Sequence, residues 1–507
     1  MQRTKRSLLN VSVTLMTNVI ILLTAFLVQK ILLSTLGSDY NGVNGLFTSI
    51  ISMMSLTDLG IGSAIIYHLY RPVAASDRNV ICSLLRFYRN SYVVISFVVL
   101  LIGIVIAFFI PGLVGTVTVH ENLYLIFALF MVDCLISYFL SYKKSLLYAY
   151  QMNYVLDGVH FVFYMIQNVA QIFVLIYFKS FIAFLLLKTI SKTVENITIT
   201  IYIRKRYPFT NQKKVLPLAA EIRSDIIIKV KALLFHRLGK FFVTGSDSLV
   251  ITGVLGIFQM SLYTNYHLIL GGITALLNKV FETLTSSVGD FLLDSNHKQK
   301  YEVYRRIDFL NFWFFGYTSV VLYTAIQPFM TLWVGERYLF SQITLFFLII
   351  NFYQEGMRAS VVTFKDAAGI YHEDRFMPII EAGLNVVISI VLAQYIGVKG
   401  VFLGTIISSG VIYFYSFPKY VCKPLLHMNW NQYIWQTVQH LLFVVTCMVI
   451  VEGCLGKIII TSLIGKIILA GVVSTVAFHF LLWVLYRRSK EMKFFLDIVF
   501  KLVFKKG

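Results

Sequence analysis

The sequence predicts an all-α polytopic membrane protein of about fourteen transmembrane helices. Three observations carry that expectation: the composition, the run of long apolar segments, and the way Lys and Arg divide between the loops. Of the 507 residues, 58% are hydrophobic and 13% charged, with a mean hydropathy of +0.77. A soluble domain holds about 45–50% apolar and about 25% charged residues, so this chain cannot coat itself for water. With only 8 prolines and 30 glycines, fibrous and low-complexity architectures have no support.

A bilayer-crossing helix needs about 20 apolar residues, and runs of that kind follow one another along the chain. The first, 11–33, comes after Arg3, Lys5 and Arg6, as in the charged opening of a signal peptide. It is too long for such a peptide's apolar core and lacks an Ala-x-Ala cleavage site, so it reads as a retained helix. The second run, 43–68, carries Gly60, Gly62, Ser63 and Ala64, a small-residue surface for close helix packing. Four more follow at 91–110, 122–140, 155–177 and 180–203. The basic interval 204–231 comes next, with Pro208 and Pro217 and then an amphipathic stretch from 218. Beyond it lie a second set of six, 232–254, 258–285, 308–333, 339–362, 377–396 and 400–416, and two further runs, 435–452 and 467–486. The tail repeats Lys493, Asp497, Lys501 and Lys505 every four residues among Phe, Ile, Leu and Val. Such a basic amphipathic helix is expected to lie on anionic membrane lipids.

With the amino terminus inside, fourteen spans put both termini in the cytoplasm. Of the 44 Lys and Arg residues, 32 then fall in inside segments, 5 outside and 7 within spans. That skew is a strong positive-inside signal. It accounts for most of the net charge of +20 without nucleic acid, for which no basic domain exists.

The spans echo themselves. Leu36-Gly37 follows the first and Leu255-Gly256 the seventh, 219 positions later, and the same offset carries 180–184 onto 399–403. This points to a duplicated six-helix unit, with bundles at 1–203 and 232–425, the connection 204–231 between them, two added helices in 426–486 and a basic tail at 487–507. Transporters built from repeats hold their substrate between the repeats near the midplane.

Charge inside a span costs roughly 2.5–3.5 kcal/mol on insertion scales, so the seven basic residues there need a reason. They are Lys30, Lys188, Lys192, Arg237, Lys240, Lys279 and Arg358. Lys188, Lys192 and Glu195 share one face of the sixth span, and Arg237, Lys240 and Asp247 one face of the seventh. Lys279 with Glu282, and Glu355 with Arg358, have the spacing of pairs within one helix. Ion pairing and snorkelling explain some of these. A cationic cavity inside a membrane would suit a phosphate or pyrophosphate. Asp58 reads as a counter-charge to Lys30 or as a coupling-ion site, with Asp247 and Glu195 as further candidates. Nothing points to catalysis, a cofactor or a metal: there is no phosphate-binding Gly-x-x-x-x-Gly-Lys-[Ser/Thr], the ten histidines are scattered, and the five cysteines form no Cys-x-x-Cys.

Leu36-Gly37-x3-Asn41-Gly42-Val43-Asn44-Gly45, followed by 55–64, resembles the opening of the polysaccharide transporter family, the Wzx-type flippases of the MOP superfamily. The turn Gly397-Val398-Lys399-Gly400 into the twelfth span is similar to the same family. The resemblance covers 1–425. It implies two six-helix bundles around a central cavity, flipping an undecaprenyl-pyrophosphate-linked oligosaccharide to the outer leaflet of the bacterial plasma membrane by alternating access. In the family, basic residues of the first, second, seventh and eighth spans line the cavity, which here implicates Lys30, Arg237, Lys240 and Lys279. The second span supplies Asp58 and no basic residue, a departure from that pattern. The resemblance also implies work alongside a polysaccharide polymerase and glycosyltransferases. Two other readings stay open: an ion-coupled multidrug exporter of the same fold, and a membrane-embedded polymerase, for which the outside loops are short.

Overall fold

The apolar runs fold as helices because no other open structure satisfies backbone groups in lipid. A computed structural model describes the backbone of residues 2–55, 61–212, 215–458 and 460–504. Side chains are described for these except 2–16, 55, 63, 140, 141, 229, 231–244, 286, 499 and 501–504. Among the described residues every regular element is a helix, and the described parts of all fourteen runs lie on helix apart from a few end residues; 56–60 lie outside the described residues. Nine of these helices are long and apolar enough to cross a membrane by length and composition. This is a multi-pass membrane protein. Expected spans outside those nine include α8 (Phe181–Arg206) and α12 (Gln342–Ala368), which carry Lys188, Lys192, Glu195, Glu355 and Arg358 in their interiors.

The chain forms two compact units, Met1–Leu268 and Ile269–Gly507. The first begins with α1 (Gln2–Leu36), α2 (Ser38–Ser55), α3 (Ile61–Ala74), α4 (Arg78–Val114) and α5 (Leu123–Ser141). It continues with α6 (Lys144–Ala149), α7 (Asn153–Tyr177), α8 and α9 (Ala220–Val250). Helix α10 (Ile257–Asp294) starts in this unit and ends in the second. Start signals are where helix chemistry wants them: Asp77 caps α4 by accepting from the Asn79 and Val80 amides, both at 3.1 Å, and Ser180 caps α8.

The two ends of the sequence echo share a backbone conformation. Gly37 (φ +95°) breaks α1 from α2, and Gly256 (φ +90°) breaks α9 from α10. Lys179 (φ +48°) precedes α8, and Gly397 (φ +69°) precedes α14 (Val398–Val411). Positive φ stands at all four, each just before the next helix. The motif glycines serve contact rather than turning. A β-carbon on Gly42 would come within 2.8 Å of Ile257 Cγ1, and one on Gly45 would collide with Thr264. Helices α2 and α10 therefore meet backbone to backbone, as small residues permit in membranes.

In the second unit α11 (His297–Trp333) is the centre. It is capped by reciprocal bonds between Asn296 and Gln299, and it buries Phe312 and Phe315 completely. Packed on it are α12, α15 (Lys423–Leu426), α16 (Trp430–Leu455) and α17 (Leu463–Tyr486), while α13 (Met377–Ile396) pairs with α14. The two added helices are thus part of this unit's core: Trp313 donates to His479 at 3.1 Å, and Tyr323 to Glu452 at 2.9 Å. The tail helix α18 (Lys490–Phe504) docks there too, through Glu491 to Arg305 at 2.9 Å and Phe495 stacked on Phe309.

Candidate functional site

Charges inside the first unit gather where α8 faces α5, α6 and α7. Lys192 Nζ lies 3.0 Å from Asp133 Oδ2 of α5, whose carboxylate is buried. One turn earlier, Lys188 Nζ stands over the Phe130 ring at 5.0 Å, a cation–π contact. One turn later, Glu195 accepts from Lys144 Nζ at 3.2 Å and meets His160 Nδ1 at 3.1 Å. The spacing of Lys188, Lys192 and Glu195 suggested neighbours on one helical face. Each in fact finds its partner on another helix, because side chains stacked along one face run side by side while an opposing helix presents its groups end-on. Lys192 and Glu195 are thereby neutralised locally, as buried charge requires.

A second polar centre joins α1, α2 and α10. Asn41, Ser261 and Asn265 are fully buried. Asn41 Nδ2 donates to Ser261 Oγ at 2.9 Å and to Asn265 Oδ1 at 3.1 Å, and Gln29 Nε2 donates to Asn265 Oδ1 at 3.0 Å and to Asn41 Oδ1. Neutral amides in a membrane interior need partners as much as charges do. Lys30 follows Gln29 on α1 and is exposed, with no ion pair among the described residues. Sequence reasoning passed over Gln29 and Asn265 because neither is charged. The polar run Thr264-Asn265 inside an apolar span was the available signal.

In the second unit Lys279 is exposed and pairs with Glu282 at 3.2 Å, one turn along α10, as its spacing suggested. Arg358 departs from expectation. Its fork grips Glu381 of α13 rather than Glu355 of its own helix, and Nη2 also donates to Ser409 Oγ at 2.9 Å. A planar guanidinium meets a carboxylate bidentately only when the two approach head-on, which α13 allows and a neighbour on the same helix does not.

Arg237 and Lys240 lie on α9, with side chains outside the described residues, and Asp58 lies outside them altogether. Asp247, further along α9, is buried. Among the described residues no group of three His, Cys, Asp or Glu could hold a metal ion. What the arrangement can do is hold polar and ionic groups inside a membrane in paired form, with Lys30 on α1 a cation that has no ion pair among the described residues.

No protein-family model matches the sequence, and no curated protein matches it either. Solved structures do share its fold. Lipid II flippase MurJ in an inward closed conformation superposes with a TM-score of 0.65 at 12% identity, over 94% of this chain and 99% of that one. An inward-facing multidrug resistance MATE family transporter of the MOP superfamily matches at a TM-score of 0.58 and 14% identity, over 78% of this chain and 94% of that one. A point mutant of the Vibrio cholerae MATE transporter VcmN matches at 0.52 and 14% identity, over 85% and 98%. These neighbours are transporters and a flippase, and at these identities the likeness is one of fold.

Proposed function

We propose that this chain is a flippase that moves an undecaprenyl-pyrophosphate-linked oligosaccharide from the inner to the outer leaflet of a bacterial plasma membrane, by alternating access. The observation that carries the reading is the end-to-end fold likeness to lipid II flippase MurJ, which spans 94% of this chain. The family resemblance of residues 36–64 points the same way. In this reading the pyrophosphate is met by Lys30 on α1 and by Arg237 and Lys240 on α9. Lys188, Lys192 and Lys279 have local partners or an aromatic contact and play a lesser part. Asp58 and Asp247 are the candidates for ion coupling.

The test is transport of a fluorescent undecaprenyl-pyrophosphate-linked oligosaccharide in proteoliposomes. The native protein should flip it, and R237A/K240A should slow flipping by about tenfold or more, one to two lost charge-assisted contacts. Equal rates in the native and double-variant proteins would remove the charged path. Likeness to MATE transporters favours one second reading, ion-coupled export of drugs. Gradient-driven ethidium efflux without oligosaccharide flipping would select it.

A further inference from the structure

A basic cluster in the first unit lies on α4, just before α6 and at the end of α8. A cavity of about 620 Å³ opens between α4, the turn before α6, the end of α8 and the segment that follows it. Small-ligand sites run about 300–1,000 Å³. Among the described residues Arg86, Arg89, Lys143 and Arg204 line it, and no carboxylate does. Arg86 and Arg89 share one face of α4, with Cys82 a turn before them.

The wall is built, not incidental. Residues 207–212 and 215–216 are strapped onto α4: Cys82 Sγ donates to the Phe209 carbonyl at 3.3 Å, Ser83 Oγ to the Leu216 carbonyl at 2.7 Å, and Arg86 Nη1 to the Val215 carbonyl at 3.1 Å. Tyr207 stacks on Tyr150 at 4.6 Å, closing the strap's other end. Thr210, Asn211 and Gln212 thereby add neutral polar side chains to the lining.

Inside-facing arginines are expected from topology alone, and such residues snorkel into water. Lys143 does the opposite: it is 4% exposed, beside three arginines and without a carboxylate partner among the described residues. Burial, with Arg204 and Arg89 near, pushes its amine down to about 8. A buried cation among cations either loses its proton or is stabilised by an anion that joins it. Four positive groups around one space suit a multivalent anion, and arginine forks match phosphate oxygens in pairs.

We propose that this cavity binds a phosphate or pyrophosphate group through Arg86, Arg89, Lys143 and Arg204. The site goes beyond the flippase reading, because anion capture here stands whatever the cargo. The group belongs either to a lipid headgroup or to a free anion.

Full-length protein in phosphatidylcholine nanodiscs, titrated calorimetrically with inorganic pyrophosphate at constant ionic strength, tests the site. The native protein should bind, while K143M and R89Q/R204Q each weaken binding by about tenfold or more, and K205Q, next to but not lining the cavity, stays within about twofold. Undecaprenyl pyrophosphate placed in the discs should compete if the group is lipid-borne and leave binding unchanged if it is free; either outcome supports the site. No binding to the native protein, or an equal loss in K205Q, overturns it. The readout is binding, so its failure is separate from any failure of transport.

Discussion

Lys192 of α8 and Asp133 of α5 form an ion pair at 3.0 Å, with the carboxylate buried and the lysine partly open. Residues 59 apart in sequence thus fasten two helices of the first unit. The pair also gives one of the seven cations within the expected spans a local counter-charge.

K192M should therefore cost stability more than transport. Breaking a fully buried pair costs about 3–5 kcal/mol, and the partial exposure of Lys192 lowers that to roughly 2 kcal/mol. Thermal unfolding in detergent should show a lower midpoint for K192M, with recovery in K192M/D133N. A double variant no more stable than K192M alone would mean that the pair is not coupled.

The glycines of the opening motif should separate sharply from others. Gly42→Ala or Gly45→Ala must push α2 off α10, an overpacking cost of about 1–3 kcal/mol. Gly112, in α4, has open space around it, so Gly112→Ala should be neutral or gain up to about 1 kcal/mol of helix propensity. Unfolding midpoints of the three variants check the contrast.

Anion binding at the strapped cavity should depend on pH in one direction. Lys143 is held down to about 8 by burial, Arg204 and Arg89, so it is charged below that pH and neutral above it. Arg86, Arg89, Arg204 and Tyr142 also face the cavity, and the Cys82 thiol there is pushed up by burial. Sulfate, which does not titrate in this range, should bind roughly threefold to tenfold more weakly at about pH 9.5 than at about pH 7. In K143M the profile should be flat. An equally steep profile in K143M would assign the effect elsewhere.

Cysteine labelling can test the orientation. Cys454 is exposed at the end of α16, in a segment expected outside, and Cys82, Cys134, Cys422 and Cys447 are buried. A membrane-impermeant maleimide applied to intact cells should label the native protein and fail to label C454S. Labelling of C454S at the native level would contradict the assignment.

Much of the fold was legible beforehand. Apolar runs became helices because hydropathy acts locally, within the reach of one helix. The echo at Gly37 and Gly256 proved conformational, since only a residue tolerant of positive φ suits both corners. The charges were legible as anomalies but not as pairs. Helical spacing put Arg358 with Glu355, and the structure gave it Glu381.

By itself, then, the sequence determined the helical membrane class, where the helices run and the list of charges that needed an explanation. Only the tertiary structure decided the partners: Asp133 for Lys192, Lys144 and His160 for Glu195, and the gathering of Arg86, Arg89, Lys143 and Arg204 around one cavity. The reason is physical. Burial preference is a property of each segment, whereas an ion pair or an anion site depends on which helices pack together, and that is set by contacts between residues far apart in the chain.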